Sequence, residues 1–552
     1  MDVVIVGLPG SGKSVVGKRL AHRHGATFID IDELIEQEDG RPIPKIFEED
    51  GEAAFRTLER RAVADLGPPD AAPTLGRIIA TGGGAVVDPR NRWALYRGRM
   101  SVWLDGRPEV LAQRLRRSPR VRPLVAGRDP IGTLRDLAAR RERFYGGADV
   151  HITGVAEVAD VVAAVERDLA AGSSGVGKPT MLLRATTPIG RVLLGDGIAS
   201  TAIDETLRRL EARRAILVSE PGAWAAAGGR LARELTAAGW DVATVMLPEG
   251  ESAKRLPVVE AAASELARLR VDRDEPLVAI GGGALGDAAG FLAATYLRGI
   301  PVVHVPTTLV AQIDSSLGGK TAVDLPEGKN LVGAFHQPAA VVIDVALLAT
   351  LPERQRRAAL GEAVKMAALG DERLFELLEH RGDAIARGDA SAVEHGDVAE
   401  LVERCAWAKV EVVLADERER ERGPRDGRIT LNLGHSLGHA IEAAAGYREL
   451  LHGEAVAYGL RAACRIGVTT GVTPPERAAR ITGLLDKLGL AQQPLPYGLE
   501  SVLDHLATDK KHTGGRLRWV LPTADGVEIH ADVPDDVVTA AAGSMLAAGS
   551  AS

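Results

Sequence analysis

Apolar runs of three to six residues alternate with amphipathic stretches through the first two thirds of the chain, a pattern that predicts α/β architecture. Upstream, the runs at 3–6, 78–80 and 102–104 read as strands, and 13–21 and 110–116 repeat apolar residues at helical spacing. A second series of strand-like runs lies at 215–218, 242–247, 277–280, 302–305 and 341–343, with helical patterns between them. Beyond about residue 351 the sequence is rich in Ala, Leu, Glu and Arg and predicts helices almost throughout, until β-branched character returns at 517–521. The pattern predicts an α/β unit over 1–168, a linker at 169–180, a Rossmann-like α/β domain over 181–350 and a mainly helical domain over 351–552.

Composition narrows the class. At 552 residues the chain is too long for one core, and 45% hydrophobic residues suffice for several. A net charge of −8 argues against general attraction to nucleic acid or membranes, so local basic clusters point to small anions. Two cysteines, Cys405 and Cys464, make no disulfide framework, and no signal peptide or long apolar span is visible. A cytoplasmic enzyme with small-molecule substrates is expected.

The first chemistry follows strand 3–6. Gly7-Leu8-Pro9-Gly10-Ser11-Gly12-Lys13-Ser14 has the form G-x-x-x-x-G-K-S, in which backbone N–H groups close around phosphates, Lys13 neutralises transferring charge and Ser14 offers a hydroxyl to Mg²⁺. A near-match at 172–179 ends in Pro179 and lacks a preceding strand, so it reads as linker. Asp30 and Asp32 follow a short strand, and alternation would put both carboxylates on one face, one for Mg²⁺ and one for an acceptor hydroxyl; helix capping is the plainer role. Arg56, with Glu59 one turn on, could grip a carboxylate. The glycines at 82–84 allow close ligand approach, and the basic stretch 116–122 suits a lid.

Together the phosphate loop, the D-I-D pair, F-R-x-x-E, G-G-G-A, V-R-P-L and R-x-x-x-Y resemble shikimate kinase over residues 1 to about 168. The resemblance implies ATP as co-substrate on Gly10, Ser11, Gly12, Lys13, Ser14, Val15 and the lid residue Arg122, with Mg²⁺ on Ser14. It implies shikimate on Asp32, Arg56, Gly82, Gly83, Gly84 and Arg141, with Asp32 and Lys13 catalytic; Arg140 and Arg143 adjoin Arg141.

The second chemistry starts at Gly281-Gly282-Gly283-Ala284-Leu285-Gly286-Asp287, a strand-to-helix turn of dinucleotide type that also occurs as a simple connection. Lysines then recur beside glycines at 314–321 and 328–330, read as anion-binding loops. His435 and His439 sit four apart on one predicted helix face, and His452 and Glu362 are further candidates for a zinc site with an open position. Spacing alone does not choose among the histidines.

From G-G-G-A-L-G-D through V-P-T-T-L, D-S-S-L-G-G-K-T, G-E-A-V-K, L-N-L-G-H-S-L-G-H and H-G-E, residues 181 to about 530 resemble 3-dehydroquinate synthase. The resemblance implies Zn²⁺ (or Co²⁺) on Glu362, His435 and His452, with His439, Lys320 and Asp314 catalytic. It implies NAD on Glu251, Lys254, Gly282, Gly283, Asp287, Thr307, Thr308, Lys320, Lys329 and Thr350. The heptulosonate phosphate would meet Arg298, Asp314, Lys320, Asn330, Lys365, Lys409, Arg428, Asn432, His439 and Lys510, with Lys511 as an alternative to the last. A charged insert at 417–427 departs from the family pattern just before Arg428. The whole reads as a bifunctional shikimate-pathway enzyme, with a homodimer through the synthase half implied. Another sugar-phosphate cyclase, or a metal-dependent alcohol dehydrogenase, is the alternative for that half.

Overall fold

The computed structural model describes residues 1–69, 75–117, 129–154, 157–170, 178–420, 423, 425, 427–447, 449–512 and 517–547, in backbone only at 170 and 508–512. The chain forms two compact units. One comprises Met1–Thr187, Arg191–Ala202 and Val342–Asp344, and the other Pro188–Gly190, Ile203–Val341 and Val345–Ser552. The first unit therefore takes in the strand Thr180–Thr187, which starts where the sequence pattern ends its linker.

In the first unit five parallel strands lie in the order Thr27–Asp30, Arg77–Ala80, Asp2–Val6, Met100–Leu104, Val150–Ile152. The two central strands, Asp2–Val6 and Met100–Leu104, are buried at every residue, which explains their unbroken apolar runs. Val3 and Ile5 pack against Val16 and Leu20 of the helix Lys13–His24 and against Val162 and Val165 of the helix Val158–Ala170. Register sets Ile5 and Asp30 beside Ala80, so three strand ends deliver the phosphate loop, the aspartates and the glycine run to one edge. Asp30 closes its strand, whereas Asp32 lies in the first turn of the helix Ile31–Asp39. Strand alternation is thus not what relates the two carboxylates. The Asp30 side chain accepts from Asp32 N and caps that helix, which breaks the extended pattern.

In the second unit parallel strands run Val242–Met246, Ala215–Ser219, Leu277–Gly281, Val302–Pro306, followed by a pairing of Val303 and His304 with Ala340 and Val341. Helix Gly283–Thr295 covers this sheet, with Leu285, Ala288, Leu292 and Ala293 in its core. The lysine-bearing segments read as loops form an antiparallel hairpin instead, Lys320–Leu325 against Gly328–Phe335. Thr321, Ala322 and Val323 pair with Ala334, Gly333 and Val332, so β-forming side chains outweighed the glycines. The later part is helical, and Trp519–Pro522 pairs with Val527–His530. No helix among the described residues is long and apolar enough to cross a membrane.

Candidate active sites

In the first unit the phosphate loop turns through Gly7, Gly10 and Gly12, at φ of 144°, 82° and 94°, conformations that disfavour any residue with a Cβ. Lys13 is buried, and its Nζ donates to Gly7 O at 2.8 Å and Leu8 O at 3.0 Å, which holds the ammonium inside the loop. Ser14 Oγ donates to Asp30 Oδ2 at 2.6 Å. A hydroxyl and a carboxylate therefore meet where Mg²⁺ would sit, and oxygen ligands suit that ion. Val15 is exposed on the same turn.

The glycine run forms the opposite wall. A Cβ on Gly82 would lie 2.7 Å from Asp32 Oδ1, one on Gly83 2.9 Å from Pro9, and one on Gly84 2.6 Å from Arg56 Nη1. Arg56 Nη1 donates to Glu59 Oε2 at 2.8 Å. Burial pushes the Glu59 carboxyl up, partly offset by Arg56, and its Oε1 lacks a hydrogen bond. Arg141 Nη1 donates to Gly83 O at 2.8 Å, as does the Tyr145 hydroxyl at 2.5 Å. Arg140 is exposed and Arg143 stacks on Phe144 at 4.6 Å, so of the three arginines Arg141 faces the glycine wall. Arg122 lies outside the described residues.

In the second unit the helices Glu353–Ala368, His435–Ala444 and His452–Thr469 bring Glu362, His435 and His452 together. Glu362 Oε1 lies 3.4 Å from His435 Nε2 and 3.1 Å from His452 Nε2. Ligands on a tetrahedral zinc at ordinary bond lengths stand roughly 3.3 Å apart. The outward nitrogens are already fixed: His435 Nδ1 contacts Leu433 O at 3.2 Å and His452 Nδ1 contacts Glu442 Oε2 at 3.1 Å. Each Nε2 is left to face Glu362. Glu362 is wholly buried, with Lys365 Nζ 2.5 Å from Oε2, yet neither oxygen accepts a well-formed hydrogen bond. Burial disfavours charge on His452, but Glu362 and Glu442 outweigh it and raise the pKa to about 10. A site that takes up a proton so strongly is suited to a cation.

His439 also presents a ring nitrogen within 4.8 Å of those of His435 and His452. It faces the cavity, and surrounding protein, then the two neighbouring rings, hold its pKa down at about 3. A neutral imidazole next to the cation site results.

A cavity of about 590 Å³ opens beside His439 and His452 and reaches Gly283, Thr308, Glu251, Lys254, Asp287, Lys329 and Asn330. A Cβ on Gly282 would lie 3.2 Å from Thr308 Cγ2, and one on Gly283 2.8 Å from Ser315 Oγ. The bare turn and the N-terminus of helix Gly283–Thr295 leave room and backbone N–H groups that could hold a diphosphate. Thr307 N donates to Gly281 O at 3.0 Å, which ties the Pro306-Thr307-Thr308 turn to the glycine run. Lys254 Nζ donates to Asp287 at 2.8 Å and to Asn330 at 2.5 Å.

On the metal side, Asp314 Oδ1 accepts from Lys409 Nζ at 2.8 Å and lies 3.8 Å from Lys365 Nζ. Burial works against the Asp314 charge, but the two lysines outweigh it and lower its pKa. Burial lowers the Lys409 pKa, only partly offset by Asp314. Arg428 Nη1 donates to Gly318 O and Glu417 O, both at 2.8 Å, and Lys320 Nζ pairs with Glu419 at 2.5 Å. Asn432 ends the short turn Arg428–Asn432. Arg298 and Thr350 are exposed and do not line this cavity, and the Lys510 side chain lies outside the described residues. Sequence reasoning missed Glu442, which follows His435 and His439 at helical offsets of seven and three and so shares their face. It also missed Tyr447 and His505, which line the cavity.

Residues 9–169 match the family model described as shikimate kinase, 244–358 that of 3-dehydroquinate synthase N-terminal, and 359–512 that of 3-dehydroquinate synthase C-terminal. The chain is 44% identical over 332 residues to the 3-dehydroquinate synthase of Symbiobacterium thermophilum, covering 59% of this chain and 89% of that protein. Among solved structures it is similar to ValA, a 2-epi-5-epi-valiolone synthase from Streptomyces hygroscopicus subsp. jinggangensis 5008 with NAD⁺ and Zn²⁺ bound, at 28% identity and a TM-score of 0.56, covering 64% of this chain and 96% of that one. It is also similar to a 2-deoxy-scyllo-inosose synthase complexed with carbaglucose-6-phosphate, NAD⁺ and Co²⁺, at 26% identity and a TM-score of 0.57, covering 67% and 100% of the two chains.

Proposed function

Because the chain belongs to the 3-dehydroquinate synthase family and carries a shikimate kinase domain ahead of it, we propose that the two sites described above perform these two reactions. It is a bifunctional shikimate-pathway enzyme. One activity phosphorylates shikimate with ATP, and the other converts 3-deoxy-arabino-heptulosonate 7-phosphate to 3-dehydroquinate and phosphate. The observation that carries the synthase reading is the convergence of His435 Nε2 and His452 Nε2 on Glu362 Oε1.

In the kinase, Lys13 and the loop N–H groups hold the transferring phosphates, and Ser14 with Asp30 would hold Mg²⁺, which offsets phosphate charge when bound. Asp32, beside Gly82, takes the proton of the acceptor hydroxyl. Arg56 and Arg141 grip the substrate carboxylate, and Glu59 keeps Arg56 aimed.

In the synthase, Glu362, His435 and His452 would hold zinc, and the glycine turn with Thr308 and Lys329 would hold NAD⁺. When bound, the pair supplies reversible oxidation of a ring hydroxyl, which acidifies the neighbouring carbon. Neutral His439 accepts the hydroxyl proton at the cavity edge. Lys365, Lys409 and Asp314 form one ion network that fixes the substrate, with Lys320 and Arg428 as further cations for its anionic ends. A homodimer through the synthase unit and a cytoplasmic site of action belong to the same reading, and the family resemblance supports both. The kinase is assigned to 1–168 and the synthase to the part from 181 onward.

Product analysis by NMR tests the synthase. The full chain with the heptulosonate phosphate, NAD⁺ and Zn²⁺ should give 3-dehydroquinate and phosphate, and a chelator-treated sample should give neither. A different carbocycle, or an oxidised product without phosphate release, would overturn the assignment in favour of another cyclase or a dehydrogenase.

A further inference from the structure

We propose that Glu442 is a positioning residue that couples the metal centre of the synthase unit to its dinucleotide pocket, so that each ligand tightens the other. The proposal rests on the zinc and NAD⁺ reading above. Glu442 is buried on helix His435–Ala444 and has a different partner on each oxygen. Oε2 lies 3.1 Å from His452 Nδ1, and Oε1 accepts from Lys329 Nζ at 2.8 Å. Lys329 lines the cavity, contacts Glu251 at 3.0 Å and lies 4.5 Å from the Tyr447 ring centroid. One carboxylate therefore joins an imidazole that faces the cation site to an ammonium that faces the dinucleotide site.

The direction of coupling follows from charge. Once a cation takes the place of the Nε2 proton, the proton held on His452 Nδ1 leaves the Nε2 lone pair to that cation, and a carboxylate on the Nδ1 proton makes the ring a better donor. While Lys329 also leans on Glu442, part of the carboxylate's charge is neutralised. An anionic diphosphate in the cavity draws Lys329 toward itself, and Glu442 then acts more fully on His452. In reverse, a divalent cation in place of the Nε2 proton adds positive charge beside His452, pulls Glu442 toward it and leaves Lys329 freer for the diphosphate. The linkage is positive, and thermodynamics requires one factor in both directions.

Zinc affinity of the full chain would be measured against a chromophoric chelator with and without NAD⁺, and NAD⁺ affinity by calorimetry with and without zinc. In the parent protein each ligand should tighten the other by the same factor, about fivefold or more. Glu442→Gln should weaken zinc about 10- to 100-fold, as loss of such a partner typically does, and bring the linkage factor to one. Lys329→Met cuts the path from the other end and leaves the His452 partner in place. It should bind zinc at least as tightly as the parent protein and also bring the factor to one, which serves as the test should the first variant misfold. A factor of one in the parent, or an unchanged factor in both variants, would overturn the coupling alone. Failure of the folded parent to bind zinc or NAD⁺ would overturn it together with the underlying site reading.

Discussion

Gly361 and Gly453 meet backbone to backbone: a Cβ on Gly361 would lie 2.2 Å from the Gly453 carbonyl oxygen. A Cβ on Gly453 would in turn lie 1.9 Å from Ala358 O. Each glycine adjoins a proposed ligand, Glu362 or His452, so the close crossing of Glu353–Ala368 and His452–Thr469 sets the ligand spacing. Because the obstacle is backbone, no side-chain rotation relieves it. Gly453→Ala should destabilise the synthase unit by about 1–3 kcal/mol and lower zinc affinity at least about tenfold. Denaturant titration and zinc competition check this, with kinase turnover as an internal control. Parent-like zinc affinity in that variant would refute the spacing argument.

Sequence legibility followed the range of the interactions. Short apolar runs marked the central strands because those strands are buried on both faces, and the phosphate loop was readable because its function lies in contiguous backbone. In the sequence the hairpin Lys320–Leu325 with Gly328–Phe335 reads as loops because lysines and glycines mask its β-forming residues. Strand alternation predicts Asp30 and Asp32 on one face, yet one ends a strand and the other lies in the first turn of a helix. Glu442 sat at a legible helical offset from His435 and His439, but its partner Lys329 lies 113 residues earlier, and only the fold joins them. The crowding of Gly453 against Ala358 was invisible for the same reason.

The roles proposed for Asp30 and Asp32 can be separated. Asp30 is bound to Ser14 Oγ at 2.6 Å, while Asp32 Oδ1 faces Gly82 on the acceptor side. Asp30→Asn should raise the Mg²⁺ concentration for half-maximal kinase rate about tenfold and recover at high Mg²⁺. Asp32→Asn should lower kcat about 10²- to 10⁴-fold at every Mg²⁺ concentration, as loss of a proton acceptor does. Rate profiles against Mg²⁺ distinguish them, and identical profiles for the two variants would sink the division.

Glu59 is a buried carboxylate that accepts from Arg56. Its folded pKa is raised above the ordinary 4.5 mainly by burial, and Arg56 offsets this only in part. A carboxyl with a raised folded pKa holds its proton more tightly in the native state. Its contribution to stability is therefore most favourable below pH 4.5 and declines as pH rises through the higher folded value, with a constant penalty at neutral pH. Glu59→Gln removes that charge. The variant should gain on the order of 1 kcal/mol at pH 7, flatten the pH dependence in that window and raise the KM for shikimate by up to about tenfold, as Arg56 loses the buried one of its two carboxylate partners and keeps only the exposed Glu52. Thermal melts across pH with matched kinase kinetics check both halves. A less stable variant with unchanged KM would contradict both.

Glu419 holds Lys320 in the position where the substrate's anion is expected to compete for it. The pair is 2.5 Å long, and the Lys320 side chain is half exposed, so an incoming phosphate must displace a carboxylate already on its cation. Arg428 joins the two sides of this contact through Gly318 O and Glu417 O, which keeps the charged insert against the glycine loop that carries Lys320. Glu419→Gln leaves a neutral group of the same shape. Competitive inhibition by inorganic phosphate should then tighten about two- to fivefold, and the KM for the heptulosonate phosphate should fall, since an exposed ion pair is worth at most about 1 kcal/mol. Lys320→Met should weaken both by tenfold or more, and the double variant should resemble Lys320→Met alone, because Glu419 acts through that lysine. Additive effects in the double variant would show that Glu419 acts elsewhere.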